Sequence, residues 1–157
     1  MSEAVTTEKI TIPASWNLEF EHAAGKAASR FLVALRDQGQ LWASPCPNCG
    51  KKRVPARSYC EDCFVPTSDD WIKVGPEGTL RTFSITYADF PGYRTPPHVM
   101  AYVVPDGADT AIANYVQGID LTDADAAAVQ LKPGTRMRAV FEDKREALIT
   151  DFHWEVA

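Results

Sequence analysis

Apolar residues at Phe20, Ala23, Ala24, Ala27, Ala28, Phe31, Leu32 and Leu35 recur at intervals of three and four, the spacing of one helical face. The pattern predicts an amphipathic helix that stops near Gly39, since glycine accepts the left-handed conformation closing a helix, with Arg36 complementing its C-terminal end. Upstream, Ile10-Thr11-Ile12-Pro13-Ala14-Ser15-Trp16 reads as an extended arm, because proline disfavours helix at the residue before it. The arm is expected to pack on something.

Beyond Gly75-Pro76-Glu77-Gly78 the period changes from helical to alternating. Thr79 to Tyr87 sets Phe83, Ile85 and Tyr87 on one face and Thr82, Ser84 and Thr86 on the other. Val99 to Val104 is apolar on both faces, the pattern of a central strand covered on each side. Runs at Thr110 to Val116, Thr135 to Phe141 and Ala147 to Trp154 bring the predicted strands to five. A short alanine-rich helix capped by Thr122 or Asp123 falls between the third and fourth, and the whole suits a five-stranded OB barrel. The longest irregular stretch, Asp89 to His98, is a candidate contact surface. The expected organisation is mainly β with an N-terminal helix: arm and helix over 1–40, a segment over 41–74 whose two pairs of cysteines, Cys46 with Cys49 and Cys60 with Cys63, predict a rubredoxin-like zinc ribbon, and an OB-fold barrel over 75–157.

At 157 residues and 45% hydrophobic content, the chain can build one substantial core. No run of eighteen apolar residues occurs and the first residues lack a secretory pattern, so a cytoplasmic location is expected. The formal net charge of −5 disfavours a polyanion groove, which needs surplus Lys and Arg to neutralise phosphates.

Chemistry concentrates in Cys46-Pro47-Asn48-Cys49-Gly50 and Cys60-Glu61-Asp62-Cys63, two C-x2-C pairs with ten residues between them. Two intervening residues let one tight turn aim two thiolates at one metal, and two such turns complete the tetrahedron that zinc prefers. With Cys46, Cys49, Cys60 and Cys63 all bound, no position is left for water or substrate, so the expected zinc is structural. Four thiolates around a divalent ion leave a charge of about −2, which Lys51, Lys52 and Arg53 are placed to balance. Iron in a rubredoxin-like site is the alternative, since four thiolates suit it too. A thioredoxin-type pair is disfavoured because neither C-x2-C sits in a strand-helix-strand pattern.

Together with these cysteines, Phe31 to Leu41, Val54-Pro55-Ala56-Arg57, Gly78-Thr79-Leu80, Pro96-Pro97, Gly134-Thr135-Arg136 and Phe141-Glu142-Asp143 resemble the DUF35 family of zinc-ribbon and OB-fold proteins, over roughly Ser29 to Trp154. The resemblance implies a non-catalytic accessory subunit of a thiolase-fold acyl-CoA enzyme, or of an acyl-CoA hydratase or aldolase, in the degradation of steroids or aromatic compounds. It therefore implies a hetero-oligomer with a thiolase-fold catalytic subunit and acyl-CoA as ligand of the complex. The arm, with Pro13-Ala14-Ser15-Trp16-Asn17, further resembles that of the small subunit of an aromatic succinyl-CoA thiolase.

The residues agree with a non-catalytic role. A thiolase needs a nucleophilic cysteine and a base, yet all four cysteines are committed to metal, and no motif ties His22, His98 or His153 to a nucleophile. Glu61-Asp62, Asp69-Asp70 and Glu142-Asp143 read as solvated loop charges, and Trp42, Trp71 and Trp154 as core or interface anchors. Arg57, Arg94, Arg136 and Arg138 are candidate partners for CoA phosphates or a substrate carboxylate. The competing class is an OB module for single-stranded nucleic acid, with Phe83, Tyr87 and Tyr102 as stacking rungs.

Overall fold

The computed structural model describes residues 9–15 and 18–157. The long helix, α1, spans Gly25–Gln38 and ends as its glycine predicts: Gly39 is left-handed at φ 56°, and its N–H donates to the Leu35 carbonyl at 3.0 Å. Its beginning differs from expectation. Gly25 sits at φ 78°, outside the right-handed helical region, so the periodic residues Phe20, Ala23 and Ala24 precede the helix, exposed. Phe31, Ala34 and Leu35 form its buried face. Trp16 and Asn17 of the predicted arm lie outside the described residues. No helix among the described residues is long and apolar enough to cross a membrane.

Five short strands follow: β1 Leu41–Pro45, β2 Lys52–Arg53, β3 Tyr59–Cys60, β4 Val65–Pro66 and β5 Ile72–Val74. β1 lies between β2 and β5, antiparallel to both, while β3 and β4 pair with each other. Each cysteine pair sits on a turn closed by the same bond: Gly50 N–H to the Cys46 carbonyl, and Phe64 N–H to the Cys60 carbonyl. Both closing residues are left-handed, Gly50 at φ 72° and Phe64 at φ 54°.

The second half comprises β6 Glu77–Thr86, β7 His98–Pro105, β8 Ile112–Val116, α2 Ala124–Gln130, β9 Arg136–Phe141 and β10 Phe152–Val156. The five strands close into a barrel in the order β10-β8-β7-β6-β9, with β10 parallel to β8 and the other pairs antiparallel. Asp123 caps α2 by accepting from the N–H groups of Asp125 and Ala126. The fold is thus mainly β: N-terminal helix, ribbon cysteines, then a closed five-stranded barrel.

Two strand expectations change. β7 is central, between β6 and β8, but within its apolar run Val99 to Val104 only Val99, Ala101 and Val103 are buried, while Met100 and Val104 are partly exposed and Tyr102 is exposed. A barrel has one interior, so a strand apolar on both sides leaves one side for other company. The last strand begins at Phe152 rather than Ala147. The buried Asp151 carboxylate accepts from the N–H groups of Glu146 and Leu148, wrapping this stretch into a turn that ends in a 3-10 helix over Ile149–Asp151.

One hydrophobic cluster joins the halves: Phe31 and Leu35 of α1, Leu41, Ala43, Val54, Ala56 and Val74 around the ribbon, and Leu80, Val103, Met137 and Trp154 of the barrel. Polar contacts reinforce the joint. Lys52 N–H donates to the Asp109 carboxylate and Val54 N–H to the Thr110 hydroxyl, while Asp109 N–H and the Thr110 hydroxyl donate back to the carbonyls of Lys52 and Val54. The segment carrying Arg53 is therefore pinned to the loop between β7 and β8.

Candidate metal centre

The two turns bring one sulfur from each of Cys46, Cys49, Cys60 and Cys63 within 4.8 Å of one another. Tetrahedral zinc with Zn–S bonds of about 2.3 Å requires sulfurs about 3.8 Å apart, and Cys49 Sγ and Cys60 Sγ stand at 3.9 Å. The donor set and its spacing therefore fit a four-coordinate ion. Without a cation four thiolates could not crowd together, and the protein side shows the conflict. Burial and the neighbouring sulfurs push the Cys63 thiol up to about 12. Burial also pushes Cys60 upward, but the hydrogen bond from Arg53 and backbone donors outweigh it and hold that thiol at about 6.

Charge compensation is narrower than a basic cluster suggests. Arg53 does it directly: its side chain is 3% exposed, Nη2 lies 3.2 Å from Cys60 Sγ and 2.8 Å from the Asp62 carboxylate, and Nη1 lies 2.6 Å from Glu61. Lys51 instead pairs with Asp62 at 2.7 Å, and Lys52 turns toward Asp109 at 4.0 Å. Glu61 and Asp62 are thus the outer wall of the metal centre rather than free loop charges. Sequence spacing could not separate Arg53 from its two basic neighbours, because burial depends on how β2 lies against β1.

The four arginines singled out in the sequence do not converge. Arg57 lies 3.3 Å from Glu61 beside the ribbon, and Arg94 stacks on the Tyr115 ring at 4.6 Å. Arg136 forks onto Asp106 and shares Glu77 with Arg138 on the barrel surface. The aromatic rungs also separate: Phe83 pairs with Ala101 and packs on the core, whereas Tyr102 pairs with Thr82 and faces outward. Tyr87 donates its hydroxyl to the Leu121 carbonyl.

No histidine hydrogen-bonds a cysteine among the described residues. His22 lies against Phe20, His98 stands edge-on to Tyr115, and the buried His153 is held between Glu142 at 2.8 Å and Glu155 at 3.3 Å. Missed entirely in the sequence is a cleft of about 180 Å³ between α1 and the ribbon, lined by Lys26, Arg30, Arg57, Asp69 and Trp71. Its signal was present only as isolated basic residues and one tryptophan.

Comparison with known proteins places this geometry. Residues 33–68 match the family described as ChsH2, rubredoxin-like zinc ribbon domain, and residues 71–142 match that described as ChsH2, C-terminal OB-fold domain. A DUF35-family protein of unknown function from Sulfolobus solfataricus superposes with a TM-score of 0.61 at 24% identity, over 85% of this chain and 87% of that one. An Ltp2-ChsH2(DUF35) aldolase structure superposes with a TM-score of 0.58 at 17% identity, over 86% of this chain and 98% of that one. With a matched ribbon followed by a matched barrel, the chain belongs to the ChsH2 family of zinc-ribbon and OB-fold proteins, and it shares its fold with the DUF35-family structure.

Proposed function

We propose that this chain is a non-catalytic accessory subunit of a thiolase-type acyl-CoA enzyme, docking on the catalytic subunit and shaping its acyl-CoA site. The observation that carries the reading is an apolar arm that no other described residue covers. Ile10, Ile12, Leu18 and Phe20 are 78%, 84%, 67% and 77% exposed. Four large apolar side chains on one short non-repetitive segment mark an interaction surface. Residues 1–40 serve as the docking element in this reading, 41–74 as a ribbon held by structural zinc, and 75–157 as the barrel that faces the substrate channel.

The absence of a cysteine–histidine pair among the described residues supports leaving catalysis to the partner. Zinc contributes folding energy by tying two turns together, and its four thiolates leave it no open position. The acyl group is read as aromatic or otherwise unusual, on the resemblance of the arm to that of an aromatic succinyl-CoA thiolase small subunit. A second reading, with an aldolase as partner, is favoured by the fold shared with the Ltp2-ChsH2(DUF35) aldolase.

Affinity capture from the native source with this chain as bait tests both. Recovery of a larger chain that cleaves β-ketoacyl thioesters only when CoA is added supports the thiolase reading. Cleavage of a β-hydroxyacyl thioester into a carbonyl compound and a shorter acyl-CoA, with no CoA added, assigns the partner to the aldolase class. A bait that elutes alone refutes the accessory role.

A further inference from the structure

A second cavity of about 280 Å³ adjoins the cleft between α1 and the ribbon, sharing Arg30 and Trp71 with it. The two differ in chemistry. The first brings together three cations, Lys26, Arg30 and Arg57, with one carboxylate, Asp69, in its lining and a second, Glu61, 3.3 Å from Arg57, on a chain whose net charge is −5. The second is walled by Val33, Ala34, Trp42 and Trp71, with Gln38 supplying a polar edge. The buried Trp42 Nε1–H has no hydrogen-bond partner among the described residues.

We propose that this double cleft binds an adenine nucleotide, its phosphates in the basic cavity and its base in the tryptophan-walled one. Arg30 is preorganised for the junction. Its guanidinium lies 4.1 Å from the Trp71 ring centroid, and Nη1 donates to the Asp69 carbonyl at 3.0 Å. The Asp69 carboxylate stands 3.7 Å from Lys26 and 3.9 Å from Arg30, with Lys26 and Asp69 largely in water. Such exposed pairs are weak, and a dianionic phosphate outcompetes one carboxylate for the same cations. Two nucleotide sources share this chemistry: the phosphoadenosine end of CoA and a free nucleotide. In taking CoA as the source, the proposal rests on the acyl-CoA reading above.

Calorimetric titration of the metal-loaded full chain with CoA, 3′,5′-ADP, ADP and adenosine tests the site. CoA and 3′,5′-ADP are expected to bind, with adenosine at least about tenfold weaker because it forgoes the charge-assisted bonds. Lys26→Gln and Arg57→Gln should each weaken 3′,5′-ADP by about tenfold, whereas Asp69→Asn should tighten it severalfold by removing the competing charge. A gain of affinity cannot arise from a damaged fold. ADP binding as tightly as 3′,5′-ADP supports the site and assigns it to a free nucleotide; a preference for the 3′-phosphate assigns it to CoA. No binding of either diphosphate at millimolar concentration, or affinities indifferent to all three substitutions, overturns the proposal. Capture of a partner by a chain that binds no nucleotide overturns the site alone. Nucleotide binding by a chain that captures no partner overturns the accessory role alone.

Discussion

Replacing Arg53 by methionine tests whether one buried guanidinium holds the metal centre together. The substitution keeps most of the buried aliphatic stem and removes donors to Cys60 Sγ, Asp62 and Glu61. Truncating one partner of a fully buried ion pair costs about 3–5 kcal/mol. Here the guanidinium is buried but Glu61 and Asp62 are 49% and 45% exposed, so water recovers part of what the acids lose. The Cys60 thiolate has no such recourse, since that residue is wholly buried. A loss of about 3 kcal/mol follows, from bonds to charged groups worth about 1.5–3 kcal/mol each and partly recovered. For a chain of this length that lowers Tm by roughly 9 °C. Arg53→Lys keeps the charge, but one ammonium cannot reproduce a fork onto three acceptors, and it should lose roughly half as much. Scanning calorimetry of the metal-loaded proteins reads the stability, and a colorimetric chelator reads the rate of metal release, which should rise in the same order. If Arg53→Met melts within 2 °C of the wild type (about 0.5–1 kcal/mol on the same scale) and releases metal no faster, the guanidinium does not support the thiolates.

Further outcomes follow from other parts of the fold. A Cβ on Gly78 would lie 2.6 Å from the Val104 carbonyl oxygen and 2.9 Å from Pro105 Cα, so Gly78→Ala should lower the urea-unfolding free energy by about 2–3 kcal/mol, as overpacking against backbone does. Stripping the metal with a chelator should lower one cooperative melting transition rather than unfold the ribbon alone, because ribbon and barrel share a hydrophobic cluster; two resolved transitions would contradict this. The Arg136 hydrogen bond holds the Asp106 carboxyl below its ordinary 3.8. That stabilisation is present above 3.8 and disappears as pH falls through the lower folded value, so the stability gap between wild type and Asp106→Asn in urea titrations should close on acidification. Joint replacement of Ile12 and Phe20 by serine should leave Tm within about 1 °C, since exposed residues contribute little to folding, yet abolish partner capture.

The sequence by itself determined what depends on local spacing. Two C-x2-C turns identify a four-thiolate cluster because two residues are what a metal-binding turn requires, whatever surrounds it. Gly39 marked the end of α1 for a similarly local reason, and Thr122 or Asp123 the start of α2, where the structure uses Asp123. Strand-like apolar runs, alternating or, at Val99 to Val104, apolar on both faces, located four of the five barrel strands closely, since these patterns belong to the strand itself. Where tertiary contacts compete with pattern, the structure decided. The periodicity from Phe20 promised helix, but Gly25 interrupts it and leaves those apolar residues without a core. The buried carboxylate of Asp151 bends a stretch that alternation reads as strand. Barrel closure turned the two apolar faces of β7 into one buried and one partly exposed. The choice of Arg53 over Lys51 and Lys52, the clasp to Asp109 and Thr110, and the assembly of Lys26, Arg30, Arg57 and Trp71 around one cleft all join residues distant in the chain. No local period encodes such meetings, because they depend on how separate elements pack.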